Sequence, residues 1–376
     1  MLRIVVVTNE PPPYRVPIFN RIARVPGVVF QVIFCCRREP NRLWNLPPME
    51  FDHVFLRERI TTVKGRYIHN NPDVVKRLNE FKPDVVVTDG FNPTYLYSFA
   101  YAWLKGIVHV PLTDGTYESE KHFSAIHKTI RSFVYKRSAT FLSASAGGQR
   151  LYESYGISPD LCYRSYLCIE NEAFTPVDLD APKEYDFIFC GRMEPGKSPL
   201  FAVNVAAEVA RRLDRKVKIL FVGSGSQDEE VKEAARHQAD SIDAHFHGFA
   251  TQEELPGLYR SARIFLFPTL ADVWGVVANE ACAAGLPVLI TPYAGVVGEL
   301  VVDDKNGFVC DLDVNLWAER SIQLLTNPDL YQAFAERSLS LVSHYTFDNA
   351  AKGLLDACRA GISAAAPGGQ RINSTS

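Results

Sequence analysis

Two stretches of the chain carry residue types that could do chemistry together. The first, residues 271–285, reads ADVWGVVANEACAAG, with an acid at Asp272, a glycine at Gly275 and a second acid at Glu280. The apolar run 264–268 before it reads as a buried strand, and the Ala-rich run 279–284 reads as a helix. A strand, a glycine-bearing turn and a helix N-terminus leave the N–H groups of Val276 and Val277 and the positive end of the helix dipole pointing outward, which suits a phosphate. Carboxylates repel that anion, so Asp272 and Glu280 are assigned to hydroxyls, as an acid takes a ribose in nucleotide folds. The second stretch is Gly191-Arg192-Met193-Glu194-Pro195-Gly196-Lys197-Ser198, directly after an apolar run at 185–190. Arg192 offers a planar fork of donors and Lys197 a compact charge. Such cations fit an anionic ligand. The first stretch points to a nucleotide that bears a sugar. The competing reading is a pair of ordinary βα units whose acids and cations are simply solvated.

The spacing of an acid, seven residues, Glu280-Ala281 and then Gly285-Leu286-Pro287-Val288 resembles the signature of the retaining GT-B glycosyltransferases of family 4. The resemblance implies that Glu280 holds the nucleotide ribose and that Asp272, where Glu is the commoner residue, touches hydroxyls of the donor sugar. It likewise implies that Arg192 and Lys197 bind the donor diphosphate, with Gly275, Val276 and Val277 at the phosphate-facing turn. Gly223, in Gly223-Ser224-Gly225, belongs to a nucleotide-facing turn in the same half. By the family's strand pattern Asp114, in Thr113-Asp114-Gly115, falls where many members carry a histidine near the donor sugar. As an acid it is expected to accept a hydrogen bond from a sugar hydroxyl or to help draw the acceptor's proton, although Asp-Gly is also ordinary turn chemistry. The loop Asn9 to Arg15 carries prolines where family members often carry a glycine pair, so those contacts are not transferred, and Tyr14 and Arg15 are read as acceptor contacts or as a rigid connector.

The elements that must position these residues follow from the apolar runs. Strands are expected at 2–8, 28–35, 84–88, 107–112, 140–145, 185–190 and 217–222, alternating with helical stretches that include 149–155, 199–212, 316–325, 330–342 and 347–360. That alternation argues for doubly wound parallel sheets, and 376 residues are too many for one core. The expected organisation is GT-B: an acceptor-side Rossmann-like domain over 1–176, a donor-binding domain over 177–345 facing it across a cleft, a helix over 346–362 that crosses back to the first domain, and a disordered tail over 363–376.

Bulk properties remove other classes. The formal net charge of -3 argues against a nucleic-acid binder. Residues 1–180 hold 22 basic against 18 acidic side chains and the remainder 18 against 25, so the first half is the more positive. Residues 120–139 interleave Lys121, Lys128, Arg131, Lys136 and Arg137 with apolar residues, as in an amphipathic basic helix that rests either on anionic lipid or on its own core. The eight cysteines form no Cys-x-x-Cys pair and read as buried thiols. The N-terminal run lacks a leader pattern and no 18-residue apolar run is present, so the expected location is cytoplasmic, with peripheral membrane contact open.

The expected function is therefore retaining, metal-independent transfer of a sugar from a nucleoside-diphosphate sugar to a hydroxyl of a carbohydrate or lipid-linked acceptor, in surface polysaccharide or glycolipid assembly. No cofactor beyond the donor substrate is expected. Three rivals stand beside it: a non-catalytic GT-B-like sugar-nucleotide-binding protein, a metal-dependent transferase using Asp178-Leu179-Asp180 or Asp311-Leu312-Asp313, and a nicotinamide oxidoreductase, which Asp228 in the glycine pattern disfavours.

Overall fold

A computed structural model describes residues 1–40, 46, 48–63, 66–176, 178–179 and 181–365. The chain divides into two compact units, one formed by Met1–Cys168 with Phe347–Ser376 and the other by Ile169–Thr346.

In the first unit the strands are β1 (Leu2–Thr8), β2 (Val28–Phe34), β3 (Asp52–Phe55), β4 (Ile60–Val63), β5 (Arg66–His69), β6 (Val85–Asp89), β7 (Val108–Thr113), β8 (Phe141–Ser143) and β9 (Cys162–Arg164). Seven of them form one sheet in the order β3-β2-β1-β6-β7-β8-β9, parallel throughout, while β4 and β5 pair antiparallel as a separate ribbon. The central strands are continuous Val/Ile runs buried on both faces, as a sheet covered by helices on each side requires. Helix Phe347–Ala365 belongs to this unit: it packs on β7, β8, β9 and helix Val16–Ala23, and Thr140 Oγ1 donates to Ala357 O at 2.9 Å.

The second unit repeats the plan with β10 (Tyr185–Cys190), β11 (Val217–Val222), β12 (Ile242–Gly248), β13 (Ala262–Phe267), β14 (Val288–Ile290) and β15 (Gly307–Val309), in the parallel order β12-β11-β10-β13-β14-β15. Its core gathers Phe187, Phe189, Val203, Ile219, Phe221 and Trp317 between the sheet and its helices. In each unit the strand order reverses beside the first strand, between β1 and β6 and between β10 and β13. Loops at the carboxyl ends of strands at such a reversal line the ligand crevice of open α/β sheets.

Several elements differ from the sequence expectation for local reasons. The stretch 120–139 is two helices. A capping box between Thr116 and Ser119 winds the short helix Tyr117–Glu120, and an extended Ser124 starts a second helix at Ala125–Tyr135. The helix expected from 149 begins at Ala146, because the Ser145 side chain accepts from the Gly148 N–H and caps it. Residues 171–174, placed by sequence in the first domain, form a short helix in the second unit, where Asn171 Nδ2 donates to the Val342 and Tyr345 carbonyls at 3.0 and 3.2 Å. Helix Phe347–Ala365 runs past 360, and the part of the expected tail from 366 onward lies outside the described residues, as does Val177 at the expected boundary.

Candidate functional site

The site of the second unit is built from the loops that leave β10 and β13, on the two sides of the strand-order reversal. Helix Val276–Ala283 opens three residues earlier than the Ala-rich run indicates, with Gly275 as its N-cap. Gly275 has a φ of 105°, and a Cβ there would stand 2.6 Å from the Phe267 ring, so the turn that aims the helix needs glycine. The first-turn amides of Val276 and Val277 precede the first bond of the helix, from Ala278 N–H to Gly275 O at 2.8 Å.

Asp272 and Lys197 meet directly. Lys197 Nζ donates to Asp272 Oδ2 at 2.6 Å and lies 3.3 Å from Thr269 Oγ1 and 3.4 Å from the Ala271 carbonyl. The other Asp272 oxygen accepts from the Trp274 N–H at 3.2 Å, which ties the acid to its own turn. The loops are fastened together beneath this pair by the Leu270 N–H donating to Gly196 O at 2.9 Å. Lys197 and Asp272 therefore form an ion pair, each about four-fifths buried. Arg192 is exposed on the same loop as Lys197, and among the described residues no hydrogen bond holds its guanidinium. Its charge is available to an incoming anion.

Glu280 lies one turn further into the helix and is buried. Its Oε2 accepts from the Tyr259 hydroxyl at 2.9 Å, and that hydroxyl also lies 3.3 Å from the Val277 carbonyl. Burial pushes the Glu280 carboxyl up to about 7, and the Tyr259 hydrogen bond only partly offsets this. Gly223 sits at the exit of β11, where a Cβ would be 2.0 Å from the Gly191 carbonyl. The loops after β10 and β11 thus touch backbone to backbone, and the Met193 N–H to Ser224 O bond at 3.0 Å continues the contact. A small cavity of about 140 Å³, lined by Met193, Gly223, Phe246, His247 and Gly248, opens beside them.

In the first unit Asp114 follows β7. It accepts from Arg15, whose guanidinium also reaches the Ser165 carbonyl at 3.0 Å. Arg15 is buried, so it braces Asp114 instead of facing a ligand, which corrects its reading as an acceptor contact. A cavity of about 530 Å³ is lined by Asn9, Tyr14, Glu39, Tyr67, Asp89 and Asp114 among others, at the reversal between β1 and β6. Its volume falls in the ~300–1,000 Å³ range of small-molecule sites. Burial first and the Asp114 charge second push Asp89 up to about 7, against the pull of Arg15 and of the Thr8 hydroxyl, which donates at 3.0 Å.

Sequence reasoning passed over Tyr259 and Asp89. Tyr259 lies in a separate short helix before β13, and no spacing ties it to Glu280. Asp89 did carry a signal, as an acid closing a buried Val-rich strand. Of the two Asp-x-Asp pairs, Asp313 caps helix Val314–Thr326 through the Asn315 and Leu316 amides and Asp311 accepts from Tyr293, while Asp180 lies outside the described residues. Among the described residues no group of three or more His, Cys, Asp or Glu side chains is placed to hold a metal ion, and no helix is long and apolar enough to cross a membrane.

Two Rossmann-like halves, each with its own parallel sheet, define the GT-B architecture. The structure superposes on a glycosyltransferase from Rickettsia africae with a TM-score of 0.72 over 96% of this chain and 98% of that one at 16% identity. It superposes on Anabaena Alr3699/HepE, solved with UDP and glucose, with a TM-score of 0.71 over 95% and 99% at 14% identity. More particularly, residues 172–340 match the family model of the glycosyl transferases group 1. In sequence the chain is 32% identical to a D-inositol 3-phosphate glycosyltransferase of Corynebacterium urealyticum over 178 residues, 46% of this chain and 42% of that protein. It is 29% identical to the protein of the same name from Frankia alni over 247 residues, 61% and 60% of the two chains. The matched segment thus spans less than half of the first of these relatives.

Proposed function

We propose that the chain is a glycosyltransferase that moves a sugar from a nucleoside-diphosphate sugar to an acceptor hydroxyl, with retention at the anomeric carbon and without a metal ion. The observation that carries this reading is the joint placement, around one strand-order reversal, of an exposed cation at Arg192, a lysine–acid pair at Lys197 and Asp272, an open helix N-terminus at Val276 and Val277, and a buried acid at Glu280. The match of 172–340 to the group 1 model covers the same residues and supports it.

In this reading the diphosphate lies against the Val276 and Val277 amides, with Arg192 and Lys197 opposing the charge that builds on it. Glu280, held by the Tyr259 hydroxyl, accepts from a ribose hydroxyl, and Asp272 orients the donor sugar while keeping Lys197 in place. The bond from the anomeric carbon to the phosphate oxygen breaks as the acceptor oxygen bonds to the same face of that carbon. The acceptor's proton passes to the departing phosphate oxygen. The cavity of the first unit, where Asp114, braced by Arg15, and Asp89 offer hydrogen-bond partners, suits the hydroxyls of an acceptor. Assembly of a surface polysaccharide or glycolipid is the process this chemistry fits.

The test is a thermal-shift screen against UDP, GDP, ADP, CDP and dTDP and their sugars, with and without EDTA, on wild type, Arg192→Ala and Glu280→Ala. Stabilisation by one nucleotide that both substitutions abolish, followed by turnover of its sugar with the anomeric configuration kept, is the expected result. Binding without turnover on any acceptor moves the assignment to a sugar-nucleotide-binding protein, and the absence of any thermal response sinks it.

A further inference from the structure

A second surface of the first unit lies on helices Pro93–Lys105 and Ala125–Tyr135. Helix Ala125–Tyr135 carries Ile126, Ile130 and Phe133 four and three residues apart, so they share one stripe. Ile126 is 72% exposed and Phe133 is 42% exposed. The stripe continues onto a neighbouring helix, Pro93–Lys105, through Trp103, 47% exposed, and Leu104, 76% exposed. Trp103 and Phe133 meet edge to face with ring centroids 5.5 Å apart. Isolated exposed apolar residues need no explanation, but contiguous large ones do.

The charged side chains of this helix have one sign. Between residues 121 and 139 there are five cations and no acid. Two are committed elsewhere: Arg131 is buried with its Nε donating to Glu120 Oε2 at 2.6 Å, and Lys121 pairs with Glu118. The exposed remainder, Lys128, Lys136 and Arg137, lines a groove of about 600 Å³ with Phe133 and Tyr155, and Lys105 ends the adjoining helix. The Arg137 guanidinium lies 3.7 Å from the centre of the Phe133 ring and 5.2 Å from that of Trp103. Its charge is thereby held at the level of the aromatic rings instead of projecting past them.

We infer that this face is a membrane-docking surface that rests on anionic lipid headgroups, with Trp103, Leu104, Ile126 and Phe133 entering the headgroup–acyl boundary and Lys105, Lys128, Lys136 and Arg137 meeting lipid phosphates. An exposed apolar stripe bordered by unopposed cations, with tryptophan at its margin, has the composition of an interfacial anchor. A protein partner on an aromatic patch asks for no such charge excess, whereas an anionic leaflet does. The docking is independent of the donor chemistry proposed above and would stand if that reading failed.

The test is co-sedimentation of the full chain with phosphatidylcholine vesicles, alone or containing phosphatidylglycerol, together with the tryptophan emission spectrum. Binding to the anionic vesicles only, weakened by salt and accompanied by a blue shift that Trp103→Phe abolishes, is the expected result. Each Lys or Arg near an anionic surface contributes about 1 kcal/mol, so Lys128→Glu with Lys136→Glu should weaken binding at least about tenfold. These two side chains are exposed, so the variant keeps the fold even if Trp103→Ala with Phe133→Ala does not. The proposal is overturned if the anionic vesicles are not bound, if neutral vesicles bind as well, or if the charge reversals leave binding unchanged. It is equally overturned if the face instead drives self-association that Trp103→Ala removes.

Discussion

Replacing Glu280 by glutamine should make the ligand-free protein more stable at pH 8 while removing the nucleotide binding proposed for it. The carboxyl is raised from 4.5 to about 7 in the folded chain, chiefly by burial. A rise of one pH unit in a carboxyl's midpoint is worth about 1.36 kcal/mol, so the ionised form costs the fold ~3 kcal/mol at alkaline pH. The direction follows from proton counting. Below about pH 4.5 folded and unfolded chains both carry the proton, and Glu280 leaves stability unchanged. Between about 4.5 and 7 the folded chain holds a proton that the unfolded chain has lost, so stability falls as pH rises. Above 7 both states are ionised and the penalty is constant. Glutamine keeps a carbonyl oxygen for the Tyr259 hydroxyl but adds a buried N–H donor, which returns ~1 kcal/mol. Urea unfolding at pH 5, 6, 7 and 8 should therefore show the variant near wild type at pH 5 and ~2 kcal/mol more stable at pH 8, with its nucleotide-induced thermal stabilisation lost. Parallel pH curves for the two proteins would refute the account of Glu280 as a strained, buried acid held for its ligand.

Arg192→Ala should abolish the nucleotide-induced thermal stabilisation and leave urea stability within about 0.5 kcal/mol, because the side chain is exposed and its guanidinium unbonded among the described residues. Gly275→Ala must adopt a φ of 105° and press on Phe267, so it should cost ~1–3 kcal/mol in urea unfolding along with nucleotide binding. Arg131→Ala removes a cation from the buried pair with Glu120 and from the faces of Phe91 and Phe123, and should cost ~3 kcal/mol while vesicle binding by the remaining folded protein is kept.

The alternation of apolar runs and polar turns placed the central strands to within a residue or two, because strands buried on both faces can hardly be spelled otherwise. The edge strands β3 and β9 and the ribbon of β4 and β5 escaped notice: they are three or four residues long and partly exposed, so no apolar run marks them. In the site, Lys197, Asp272 and Gly275 lie in loops that leave neighbouring strands, and both loops were readable from glycine, proline and charge. The Lys197–Asp272 pair was not, since its partners are 75 positions apart and only the pairing of β10 with β13 brings them together. Tyr259 and Glu280 met the same obstacle. Arg15 shows the opposite failure. An arginine in a proline-rich loop reads as an acceptor contact or as part of a rigid connector, yet the chain folds it inward because Asp114 and the Ser165 carbonyl are there to receive it.

The membership of helix Phe347–Ala365 in the first unit has a consequence for how the chain is made. The second unit, Ile169–Thr346, is an insert between the body of the first unit and the helix that completes it. A ribosome reading from the amino end delivers every residue of the insert before it delivers that helix. The first unit must therefore wait, with the surfaces of β7, β8 and β9 uncovered, while the insert is synthesised. Of the two, the part that emerges second is the part that can be complete first.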